Sequence, residues 1–138
     1  MGPSLRARGV SLVELILALA IVAIAIIALV TLFISGLKLL GRSADVQRSS
    51  EIARETVEAI VDMGHAQAPS AASVFDGRNN DPQDANGFPP APYPTANVEG
   101  RLYPITVSVE PLGSLKVVQV RVHYAAGGNL WLERYLHP

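Results

Sequence analysis

Sixteen consecutive residues, Leu15 to Val30, are apolar, and with Glu14 and Thr31 as single interruptions the run extends from Leu12 to Ile34, twenty-three residues. A bilayer needs about 20 such residues in a helix, and a 138-residue chain is too small to bury this stretch in a soluble core. Eleven Leu, Ile and Val in the uninterrupted part each favour insertion by about 0.3–0.6 kcal/mol, against a cost of roughly 2.5–3.5 kcal/mol for one central charge. Insertion wins even with Glu14 in the run. Arg6 and Arg8 precede the segment while Lys38 and Arg42 follow it, so the basic residues nearly balance and do not orient it. A cleaved secretory signal fits poorly, since its apolar core is about 7–15 residues and turns polar before the cleavage site. An uncleaved signal anchor satisfies the hydropathy equally well.

Glu14 is what hydropathy leaves unexplained. A carboxylate three positions inside an apolar run is costly, so it either snorkels to the interface or meets a partner. The residues before it sharpen the choice. The stretch Arg6-Ala-Arg-Gly-Val-Ser-Leu-Val-Glu14-Leu, followed by the aliphatic run, resembles the class III signal sequence of type IV pilins and pseudopilins over about 30 residues. The resemblance implies that residues 1–9 form a basic leader removed after Gly9 by a prepilin peptidase. Val10 would become the new, methylated N-terminus, and Glu14 the fifth residue of the mature chain. Its partner would be the Val10 amine of an adjacent subunit, two opposite charges pairing in low dielectric. Val10 stands where the family usually has Phe, and Ser11 where Thr is common. No Pro or Gly interrupts Val10 to Ser35, so the helix should run unbroken. That feature, and the absence of cysteine, point to a minor pilin or pseudopilin.

Past the membrane segment, Val46, Ser49, Ser50, Ala53, Val57, Ile60 and Val61 recur at helical spacing between charged residues, which predicts an amphipathic half over 36–63. Arg48 with Glu51 and Arg54 with Glu58 are spaced to pair on its solvent side. Gly64 suits the C-terminal cap. A helix from about Val10 to Met63 would be about 80 Å long. Residues 64–100, with Pro69, Gly77, Pro82, Gly87, Pro89, Pro90, Pro92 and Pro94, read as a long connection without regular elements. Phe88 and Tyr93 are expected to pin it to the domain. Its Asn and Asp residues lack the spacing of a calcium loop.

Residues 101–138 alternate. Ile105, Val107 and Val109 form one face, as do Val118, Val120, Val122 and Tyr124, with turns expected at Pro111 to Ser114 and at Gly127-Gly128 before Leu130 to Leu136. A three-stranded antiparallel meander follows, its apolar face covered by the helix. Trp131 and Tyr135 are expected among core or loop-packing residues. The fold class is α+β: one long N-terminal helix on a small antiparallel sheet, which is the order of elements in pilins.

The chemistry expected to be missing also bounds function. With no cysteine there is no disulfide and no thiolate. His65, His123 and His137 lack metal-ligand spacing, and no phosphate loop or nucleophile elbow occurs. No enzyme activity, metal or cofactor is expected. Beyond Gly64 five basic residues face six acidic ones, so nucleic acid is not indicated as a partner. The pilin resemblance implies other pilin or pseudopilin subunits, the prepilin peptidase and an inner-membrane assembly platform as partners. It also implies a single-pass precursor in a bacterial inner membrane, with its C-terminal domain outside the cytoplasm, and then a pilus, a type II secretion pseudopilus or a DNA-uptake pseudopilus. The alternative is an uncleaved, membrane-anchored binding domain.

Overall fold

The computed structural model describes residues 11–124 and 127–138. Its elements are helix α1 (Leu12–Met63), strand β1 (Ser73–Asp76), a 3-10 turn (Gly77–Asn79), β2 (Thr95–Val98), β3 (Arg101–Leu112), β4 (Leu115–Tyr124) and β5 (Gly128–Leu136). The chain divides between Gly41 and Arg42 into two units.

In the first unit α1 is apolar on every side. Its large aliphatic and aromatic side chains from Leu12 to Leu40 are between 48% and 74% exposed, so they stay uncovered among the described residues. The helix is long and apolar enough to cross a membrane. Thr31, the polar interruption near its middle, donates its hydroxyl to the Ile27 carbonyl at 2.8 Å, which satisfies that group inside the helix.

The second unit is α+β. Residues Asp45, Ser49, Ile52, Ala53, Thr56 and Ile60 of α1 are buried, and the apolar ones join Tyr103, Ile105, Val107, Val109, Val118, Val120 and Val122 in one core. The buried stripe is therefore rotated from the expected one. Val46 and Val61 lie outside, while polar Asp45 and Thr56 lie inside. Both polar residues are satisfied, which makes their burial tolerable. Thr56 donates to the Ile52 carbonyl, and Asp45 accepts from Arg101 at 2.6 Å and from the Tyr103 hydroxyl at 3.2 Å. Arg48 does not use Glu51. It reaches across sequence to Glu99, and Arg54 and Glu58 form no ion pair among the described residues. The helix ends as anticipated, with Gly64 at φ +84 and its N–H on the Ile60 and Val61 carbonyls.

Five strands, not three, make up the sheet. The path is β1-β3-β4-β5, with β2 also paired to β3. Long β3 has two short partners in succession on one edge: β2 beside Arg101–Pro104 and β1 beside Thr106–Val109. Both lie in the segment expected to hold no regular element. The β2–β3 hairpin turns through Glu99 and Gly100, both at positive φ, the two-residue geometry that matches strand twist. β3 and β4 turn at Gly113-Ser114, with Leu112 opposite Leu115. Pro111 and Gly128, expected in turns, are strand residues, and a Cβ on Gly128 would collide with the Tyr124 ring.

The connecting segment is fastened to the core. Phe88 and Tyr93 are buried, and Phe75 meets both rings edge-on, at centroid distances of 5.5 and 6.4 Å. The Tyr93 hydroxyl donates to the Asp81 carbonyl. At Gly77 a Cβ would fall on the backbone oxygens of Pro94 and Ile105, well inside van der Waals contact. No flexible side chain is there to yield, so Gly77→Ala should destabilise the domain by about 3 kcal/mol. Gly87→Ala, at a glycine with open space around it, meets no such collision and should cost less despite its positive φ. Thermal unfolding of both variants tests the contrast.

Lys116 is buried on β4, and its ammonium donates to the carbonyls of His65 and Ala68, each at 2.6 Å. It ties the chain leaving α1 to the sheet.

Candidate functional site

Ser11 opens α1. Its hydroxyl accepts from the Val13 N–H at 3.2 Å and its carbonyl accepts from the Leu15 N–H at 3.1 Å, the arrangement of an N-cap. Glu14 thus lies in the first turn, where the partial positive charge of the helix end favours a carboxylate. Exposed apolar side chains surround it: Leu12 at 74% and Val13 at 73% among them. Among the described residues Glu14 has no ion-pair partner and no hydrogen bond to its side chain. Gly9 and Val10 lie outside the described residues. Comparison of the chain with protein-family models, with curated proteins and with solved structures finds no match.

The outer face of the sheet carries a polar ladder that the sequence did not announce. Asp76 accepts from Arg78 Nε and Nη2, and from the Thr106 hydroxyl at 3.0 Å. With its proton donated to Asp76, Thr106 Oγ1 accepts from His123 Nε2, 3.0 Å away. The Arg78 guanidinium hydrogen-bonded to Asp76 holds its carboxyl well below the usual carboxylate range. Burial, and next the Arg78 charge, push the His123 imidazole down. The ladder joins β1, β3 and β4.

A depressed carboxyl stabilises the folded state above its unfolded pKa, near 4, and that contribution is lost as pH falls below it toward the folded value. Asp76→Asn should therefore lower stability at pH 7 and make the remaining stability less sensitive between pH 5 and pH 2. Urea midpoints against pH for both chains check this.

The carboxylates of the Asn79 to Asn86 tract are used by the loop itself. Asp81 Oδ2 accepts from the Asp76 N–H, and Asp84 Oδ1 accepts from the N–H groups of Asn86 and Phe88. No group of three or more metal-ligating side chains occurs among the described residues.

Two surface features were missed or misread. Trp131 and Tyr135, expected among core or loop-packing residues, are 54% and 49% exposed on the outer face. Their neighbours Leu130, Leu132 and Leu136 are the ones that pack on the core. A groove of about 360 Å3 also lies between α1 and β5, with Val57, Val61 and Leu132 as its apolar lining and Glu58, Asp62 and Glu133 as its acids. Val57 and Val61 stood out in the helical pattern, but only the register of β5 shows what they line.

Proposed function

We propose that the chain is a minor structural subunit of a type IV pilus or of a secretion or competence pseudopilus. In this reading it is processed after Gly9 and assembled through its N-terminal helix. The observation that carries the reading is Glu14, a carboxylate in the first turn of a helix whose large apolar side chains from Leu12 to Leu40 are all exposed. A bilayer alone accounts for the apolar surface but gives the carboxylate no partner. A neighbouring subunit supplies both, apolar helix surface for packing and the Val10 amine for charge. The partners are other pilin or pseudopilin subunits, the prepilin peptidase and an inner-membrane assembly platform, and the role is structural, not catalytic. Support comes from the residue pattern Gly9-Val10-Ser11-Leu12-Val13-Glu14 and from the order helix, then antiparallel sheet.

Exposed Trp131 and Tyr135 favour a second reading, a monomeric membrane-anchored domain that binds a soluble ligand on its open sheet face. Mechanical shearing separates the two. A filament subunit is recovered in the sheared, sedimentable fraction of cells that have the assembly machinery; an anchored monomer stays with the membrane until detergent is added.

A further inference from the structure

The outer face of the sheet carries two adjacent columns of side chains that the core does not use. Trp131, Glu133 and Tyr135 alternate outward along β5, and the register sets Arg121 opposite Trp131, Gln119 opposite Glu133 and Val117 opposite Tyr135. Both aromatic rings are exposed, and their positions stand about 14 Å apart at 3.4 Å per residue. Arg121 Nη2 donates to Gln119 Oε1 at 3.2 Å, which leaves the Gln119 amide N–H groups and the rest of the guanidinium without a partner among the described residues. The hydrogen-bonding Glu133 carboxylate beside it pushes the Tyr135 phenol up. Rings therefore alternate with polar groups along one column, and further hydrogen-bond donors line the next.

We propose that this face binds a neutral glycan, with Trp131 and Tyr135 as its stacking rings and Gln119, Arg121 and Glu133 as its hydrogen-bonding groups. A sugar ring has apolar C–H faces and a rim of hydroxyls, each both donor and acceptor. Its faces match the two aromatics, and its rim matches an amide, a guanidinium and a carboxylate. Other occupants fit less well. The centre of a protein–protein interface is depleted of charge, whereas Arg121 and Glu133 stand beside and between the rings. A single-stranded nucleic acid stacks on aromatics but needs a basic groove along its backbone, and here Glu133 offsets Arg121. An open strand face favours a chain of sugars lying along β5 over a single ring. The proposal rests on the ligand-binding reading of this face and names the ligand class; it does not depend on assembly.

Trp131 is the only tryptophan of the chain, so its fluorescence reports on this face without a label. The full chain, in a detergent whose head group is not a sugar, is titrated with cellotetraose, maltotetraose and tetra-N-acetylchitotetraose. At least one should shift the Trp131 emission to the blue in a saturable way, with equal affinity at low and high salt. Tyr135→Ala should weaken that binding about tenfold, while Leu102→Ser, at an exposed position of β3, should leave it unchanged. Three results overturn the proposal: no saturable shift with any of the three sugars, a shift of undiminished affinity in Tyr135→Ala, or tighter binding of a thymidine oligonucleotide that high salt abolishes. A chain that stays with the membrane on shearing yet binds no sugar keeps the anchored reading and loses this ligand.

Discussion

Glu14→Ala is expected to abolish assembly while leaving the chain in the membrane. Removing a carboxylate from an apolar run makes insertion easier, so the level of membrane-bound protein should hold or rise. Assembly should respond in the opposite direction. On the filament reading, stranding the α-amine that Glu14 would neutralise costs about 3–5 kcal/mol where water is excluded, a factor of 100 or more for each subunit joined. Glu14→Gln should fail nearly as badly, because it keeps the shape but not the charge. Immunoblots of membrane and sheared fractions give both quantities. A variant found in filaments at the normal level would show that Glu14 only snorkels.

Phe88→Ala is expected to be the most destabilising change in the folded domain. Phe88 is fully buried, edge-on to Phe75, and its N–H is held by Asp84. Emptying such a site costs about 3–5 kcal/mol, which for a domain near 100 residues lowers Tm by at least about 12 °C. A connection that merely spans two elements would lose almost nothing on the same substitution. Thermal melts of the full chain in detergent distinguish the two.

Much of the fold was legible where a pattern was long and local. The period-two alternation of Ile105 to Val109 and of Val118 to Val122 fixes which face is buried, and Gly64 marks the end of α1. What was not legible depends on partners distant in sequence. Strands β1 and β2 have four residues each, too few for a period to register among prolines, and they exist because β3 is long enough to pair with both. The buried stripe of α1 was not legible because it includes the acid Asp45, which only Arg101 and Tyr103, distant in sequence, satisfy inside. Trp131 and Tyr135 were misplaced because size suggested burial while the register of β5 turns them outward.

The candidate site divides along the same line. Glu14 is conspicuous in the sequence because one charge in an apolar run has no local explanation. The groove beside β5 is not legible there, since acids such as Glu58 on a helix most often face water. It emerges only once the register of β5 sets Leu132 beside Val57 and Val61.

The account turns on processing, and one measurement addresses it directly: the intact mass and N-terminal sequence of the chain from its native membrane, with and without the prepilin peptidase. The account predicts a chain that begins at a methylated Val10 when the peptidase is present and an uncut leader when it is absent. A chain that still carries residues 1–9 in the presence of active peptidase would contradict it and leave a simple membrane anchor.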